Sequence, residues 1–243
     1  MKKSKIISAV CLAVTLSLSC ATVRQNYPAP SSSESAAFAY TMNFKSNAIF
    51  GVGFSSPLSA LWAIRLKDDS IISEEIFVSE NIDGTTAYFF NMKPGKYALL
   101  GVTYKKIISG SAGRKDGSIY VPDIEMISIA LLTEIDMKKT VVDVKPGSMQ
   151  FGGVVSINAG GELADDTQEH YQSVIFNKGD AGNAYPGLAS VSQAKGSEVV
   201  GIIKSKAARK DFFERTRKIL IGSGWEHFVK NDSAALQPGF TEK

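Results

Sequence analysis

Between Phe38 and about Ile157 the chain is a succession of short apolar runs of strand length, and nearly every one is closed by Gly, Pro, Asn, Asp or Lys. Trp62, Ile64 and Leu66 alternate with Ala63 and Arg65. Ile76-Phe77-Val78, Ala87-Tyr88-Phe89-Phe90, Tyr97 to Tyr104, Ile119-Tyr120-Val121, Ile124 to Leu132 and Thr140 to Val144 are rich in β-branched or aromatic residues. Runs of three to nine residues between turn formers are too short for amphipathic helices and right for strands. Their even spacing predicts a mainly β fold, an antiparallel sandwich in preference to a barrel.

Two segments sharpen this reading. Residues 89–102 (FFNMKPGKYALLGV) lie over residues 141–154 (VVDVKPGSMQFGGV) with Lys-Pro-Gly and the later Gly-Val in register, five identities in fourteen positions. Proline fixes φ at the second position of a type II turn and glycine supplies positive φ at the third, so each segment reads as strand, tight turn, strand. The pattern apolar-x-apolar-x-Pro-Gly-x-Tyr-x-apolar around Tyr97 resembles turns of small bacterial β-sandwich lipoproteins with transthyretin-like or carboxypeptidase-regulatory-like modules. The resemblance covers about 30 residues and implies a β-sandwich; the likeness of the two Lys-Pro-Gly segments to each other raises a duplicated unit, which five identities do not establish.

After Ile157 the texture changes. Residues 158–187 hold many Gly, Asp, Asn and Ala, with one strand-like run at Ser173 to Phe176, and Val199 to Ile203 reads as a last strand. Residues 206–221 read as a helix with Phe212, Phe213, Thr216, Ile219 and Leu220 on one side, ended by Gly222 and Gly224. The expected architecture is therefore an antiparallel β-sandwich over residues 38–231 with this C-terminal α-helix packed on it, followed by a frayed tail at 232–243.

The start of the chain has its own logic. Lys2, Lys3 and Lys5 precede an uncharged run from Ile6 to Leu18, a length that suits a secretion signal and is short for a bilayer-spanning helix. The run ends in Leu16-Ser17-Leu18-Ser19-Cys20, which resembles the lipobox of bacterial lipoproteins. Ser17 stands where the usual leucine would be, so the arrangement is similar to the relaxed lipobox of spirochaetes. The resemblance implies a signal peptide at 1–19, cleavage before Cys20, and acylation of Cys20, palmitate included. Residues 20–37, ATVRQNYPAPSSSESAA after the cysteine, read as a flexible acylated tether. Ala21 is not the aspartate that retains many enteric lipoproteins in the inner membrane, which tilts the expected localisation to the outer membrane or cell surface.

Charge and cysteine usage then exclude several classes. Both cysteines, Cys11 and Cys20, lie in the first twenty residues, leaving the mature domain no disulfide, thiolate metal site or cysteine nucleophile. Loss of Lys2, Lys3 and Lys5 takes 27 basic residues to 24, equal to the 24 acidic ones, so no nucleic-acid partner is expected. Two histidines in unrelated contexts, and no nucleophile elbow, zinc helix or phosphate loop, argue against an enzyme, a cofactor or a metal centre. Gly51-Val52-Gly53 completes no phosphate-binding motif and reads as a turn or bulge.

Two clusters remain. Glu162, Asp165, Asp166, Glu169 and His170 have the chemistry of a cation or ligand loop, at a spacing that matches no calcium motif, against the plainer reading of a solvated loop or first helical turn. Arg209, Lys210, Arg215 and Lys218 give the C-terminal helix a basic side suited to anionic lipid or an acidic partner; the plainer reading packs its apolar stripe on the sheet. The expected function is a membrane-anchored envelope lipoprotein that binds another protein without catalysis. The alternatives are a periplasm-facing accessory or scaffold subunit of an envelope complex and, third, an enzyme with dispersed catalytic residues. Replacing Cys20 with Ser is expected to abolish fatty-acid incorporation and leave the uncleaved precursor, read by mass spectrometry and metabolic labelling; undiminished acylation would contradict the assignment.

Overall fold

The computed structural model describes residues 26–47, 53–54, 58–67, 75–79, 81–108, 111–112, 119–120, 124–177 and 194–229. In chain order the elements are β1 (Ala36–Asn47), β2 (Gly53–Phe54), β3 (Leu58–Arg65), β4 (Ile76–Val78), β5 (Asn81–Asp83), β6 (Thr86–Met92), β7 (Gly95–Ile108), β8 (Ser111–Ala112), β9 (Ile119–Tyr120), β10 (Ile124–Leu132), α1 (Glu134–Lys139), β11 (Val142–Val144), β12 (Met149–Gly161), α2 (Asp166–Asn177), β13 (Lys195–Ile203) and α3 (Lys206–Ile219). Residues 1–25 and 230–243, with Cys11, Cys20 and the expected tail, lie outside the described residues, as does the Gly51-Val52 pair.

Strand periodicity explains the core. Along β1, Ala36, Phe38, Tyr40, Met42 and Phe44 enter one buried cluster, while Ala37 and Ala39 enter another. In β6, Ala87 and Phe89 go to the first cluster and Tyr88 and Phe90 to the second. Both faces are buried, so these runs read as continuously apolar. On β12 a bulge at Gly152 reverses the parity: Met149 and Phe151 join the second cluster, Val155, Ile157 and Ala159 the first. Only glycine fits there, because a Cβ on Gly152 would stand 2.1 Å from the Tyr40 ring.

The strands join in one mixed sheet in the order β4-β3-β7-β10-β13-β12-β1-β6-β5, with β11 on β7 and β2 on β1, and β8–β9 form a separate pair. The fold is mainly β, as expected, but not purely antiparallel: β1 runs parallel to β12 and β10 parallel to β13. Spacing of apolar runs reveals strands and is blind to which strand each one pairs with, which is where the antiparallel expectation failed. The sheet curls until β1 meets β7, four places away. Phe38 lies 5.1 Å from Tyr97 and Phe44 4.8 Å from Tyr104, ring centre to ring centre.

The two Lys-Pro-Gly segments are turns between strands, but not hairpins. β6 pairs with β1 and β5, β7 with β3, β10 and β11. Each turn is a corner at which the chain leaves one arm of the curled sheet for the other, and Val144 pairs with Gly95, setting the two corners side by side. The Tyr97 hydroxyl donates to the Lys93 carbonyl at 2.7 Å and closes the first corner; Gly147 has φ +62° at the second.

Three further departures have local causes. The strand-like run Ser173 to Phe176 is the last part of α2, whose Gln168, Tyr171 and Ile175 are buried at helical spacing. Helix α1 was not expected, although Thr133 caps it: its Oγ1 accepts from Asp136 N at 3.2 Å and donates to Asp136 Oδ2 at 3.1 Å. The tether expected to run to Ala37 ends sooner, since Ala36 and Ala37 are fully buried in β1 and residues 26–35 are fastened to the domain.

Buried phenols tie this fold to pH. Burial pushes Tyr88 up to about 12, its hydrogen bond with Thr216 opposing, and pushes Tyr97 up to about 12, with Arg65 opposing; burial also raises Tyr40 strongly. An unfolded tyrosine ionises near about 10. The folded state therefore keeps its full stability below that pH and loses it as pH rises from about 10 to about 12. The urea midpoint should fall across that window; a flat midpoint there, or phenols that ionise like free tyrosine in the folded protein, would contradict the buried assignment.

Candidate functional site

Loss of β10 after Leu132 opens a polar groove. There β12 runs out through Asn158, Ala159, Gly160 and Gly161, and β13 contributes Gly196, Ser197 and Glu198, just after its start at Lys195. The N-terminal ends of α1 and α2 close the sides with Thr133, Asp136, Ala164 and Gln168, around about 350 Å³ of space. A Cβ on Gly196 would sit 2.0 Å from the Glu162 carbonyl, so the floor depends on glycine.

The polar groups in its walls are committed to holding the groove open. Gln168, fully buried, donates through Nε2 to the Leu131 carbonyl at 2.7 Å and accepts from the Ala164 amide through Oε1. Ser197 donates to the same carbonyl at 2.8 Å. Asp136 accepts from Lys139 at 2.6 Å and from Thr133. Exposed Glu162 and Glu198 are the carboxylates at the mouth left for a visitor. The described residues of the lining offer hydrogen bonding and negative charge.

The acidic cluster at 162–170 is divided by this architecture. Asp165 is the hinge pin: Oδ1 accepts from Gln168 N at 2.9 Å, capping α2, while Oδ2 accepts from Glu134 N at 3.0 Å, at the start of α1. Glu162 lines the groove; Asp166, Glu169 and His170 are exposed on α2, the His170 ring lying 5.1 Å from Tyr171. No three His, Cys, Asp or Glu side chains converge on one point among the described residues.

The other end of the molecule holds α3. Phe212, Phe213 and Thr216 are buried against the outer face of the sheet, where Phe212 stacks on Phe151 at 4.7 Å and Tyr88 hydrogen-bonds Thr216 at 3.1 Å. Of the basic residues singled out, Arg209 sits over the Phe213 ring at 5.6 Å. Lys210 and Arg215 pair along the helix with Glu214 (3.8 Å) and Asp211 (2.8 Å), and Lys218 is exposed.

Sequence reasoning missed the strap beside it. Tyr27 packs edge-on against Phe90, the Trp225 indole donates to the Pro28 carbonyl at 2.7 Å, and Pro30 lies against Gly224. Asn91, at φ +54°, donates to Ala29 O at 3.0 Å and accepts from Ser31 N at 2.8 Å. Ser31, Ser32 and Ser35 bond one another, and Glu34 O accepts from Gly147 N. Serine-rich sequence imitates a linker because its hydroxyls satisfy the backbone locally. Tyr27-Pro28-Ala29-Pro30, apolar and stiff, is the signal that marks the segment as packed.

The chain matches no protein-family model, no curated protein and no solved structure. Among the described residues no helix is long and apolar enough to cross a membrane.

Asp165→Ala removes acceptors from two helix N-termini and should cost about 1–2 kcal/mol in urea unfolding, whereas Glu169→Ala and His170→Ala should stay within roughly 0.5 kcal/mol. A neutral Asp165→Ala would mean that its caps do not hold the groove.

Proposed function

We propose that the protein is a lipid-anchored envelope protein, carried outward to the outer membrane or cell surface, that binds a protein partner without catalysis. The observation that carries this reading is the placement of strap and groove at opposite ends of β12. From Met149, next to the strap, to Ala159, in the groove, the strand runs ten residues, roughly 30 Å. A chain anchored through Cys20 is held at the strap end and presents the groove away from the membrane.

The groove supports recognition better than chemistry. Its carboxylates Glu162 and Glu198, with Asn158 beside them, suit a basic, hydrogen-bonding segment of a partner, and its other polar groups are tied up in the fold. A periplasm-facing accessory subunit would use the same groove on an envelope complex, and the side of the membrane distinguishes the two readings.

Two measurements test the proposal together. Digestion of the protein by protease added to intact cells is expected; protection until lysis would move the groove to the periplasm. A photo-reactive residue in place of Glu198 should give one discrete protein adduct in cells, while the same residue at Lys210 should not. Absence of any adduct at 198 would remove the groove as the binding face.

A further inference from the structure

Asn26 is six residues beyond Cys20. Fully extended, that stretch of chain reaches at most about 20 Å. From there the strap is bound: Pro28 to Trp225 through the indole hydrogen bond, Pro30 to Gly224. The turn that follows α3, together with Phe90 and Asn91 at the end of β6, is thus where the chain arriving from Cys20 is fixed to the domain.

That turn has the surface a bilayer would select. Ile221 is 58 % exposed, one of four large apolar side chains that stand in solvent among the described residues. Arg217 and Lys218, exposed in the last turn of α3, precede it by four and three residues, and neither takes part in an ion pair among the described residues; Glu226, the acid of the turn itself, accepts from Gly222 N at 3.0 Å. Asp211 and Glu214, the acids of this helix, are engaged by Arg215 and Lys210. An exposed aliphatic side chain just after two cations, near the end of a short anchor chain, matches the acyl–headgroup boundary of an anionic membrane, where each basic residue adds attraction and an apolar one enters.

From this placement we infer that the α3 end of the domain seats on the bilayer, with Ile221 entering the lipid and Arg217 and Lys218 meeting anionic headgroups. The inference rests on acylation of Cys20. Seating fixes the orientation of the domain as well as its distance, so the groove at the far end is held facing away from the lipid instead of swinging on a tether. The area involved is small, and the contact acts in concert with the acyl chains: it would not hold an unacylated domain on a membrane by itself.

The sequence supplies a clean probe. After cleavage Cys20 is the one cysteine left and its thiol carries lipid, so Ile221→Cys introduces a unique free thiol. The acylated protein, labelled there with a polarity-sensitive fluorophore, is reconstituted into phosphatidylcholine vesicles with and without phosphatidylglycerol. Ile135→Cys, 70 % exposed on α1 beside the groove, is the control. The expected result is blue-shifted emission at 221, quenched by spin labels on the lipid chains and strengthened by phosphatidylglycerol, with the label at 135 quenched only from water. Arg217→Glu combined with Lys218→Glu should erase the phosphatidylglycerol dependence. A label at 221 open to aqueous quencher overturns the inference, and so does one shielded from water yet out of reach of the lipid spin labels, which would indicate a protein covering it. The mass of the N-terminal peptide reads acylation separately. Acyl mass with a wet label at 221 leaves the anchor standing and removes the seat; no acyl mass removes both.

Discussion

Phe38 and Tyr97 touch at 5.1 Å although their strands, β1 and β7, are four places apart in one sheet. Flat, those strands would be separated by roughly four interstrand spacings, about 19 Å. The sheet must therefore curl, and curling makes an inside from one face: Phe38, Tyr40, Phe89 and Tyr97 fill it. The other face is left convex and apolar, with Tyr88, Phe90, Met149 and Phe151 to cover. Helix α3 and the turn carrying Trp225 do most of that covering, and the strap adds Tyr27. The rest of the molecule follows from giving a cover to each face of one sheet.

The same constraint explains why the groove and the strap lie where they do. A curled sheet of mixed direction cannot keep every strand paired along its full length. β10 pairs with β13 only at Ala130 to Leu132, and α1 replaces it beyond that point. The polar side chains that compensate, Gln168 and Ser197 on the Leu131 carbonyl, border the space that opens. At the opposite end the two Lys-Pro-Gly corners meet, and the strap crosses them through Asn91 and Gly147.

Much of this was legible in local sequence. β10 and the core of β3, β6 and β7 stand where apolar runs said they would, and α3 buries Phe212, Phe213 and Thr216 as its spacing implied. Pairing was not legible, because nothing in residues 89–102 says that β6 and β7 part company at Gly95. The parallel pairing of β1 with β12 joins segments more than a hundred residues apart, beyond the reach of periodicity. Of the acidic cluster, spacing read as one loop what the fold divides: Glu162 lines the groove, Asp166, Glu169 and His170 are exposed on α2, and Asp165 is consumed by two helix ends, one of them α1, which local reading did not see. The strap was hidden by serine. Beyond the bonds its serines make with one another, its hydrogen bonds go to Asn91, Trp225 and Gly147, all distant in sequence.

The account stands on the strap being part of the fold. Native-state hydrogen exchange addresses that directly at the amide of Ser31, which donates to Asn91, and at those of Ser32 and Ser35, which close the turn behind it. Protection comparable to that in α3, lost together with it as urea is raised, would show strap and helix opening as one unit. Exchange of those three amides at free-chain rates, with Ala37 and α3 still protected, would show a loose tether and contradict it.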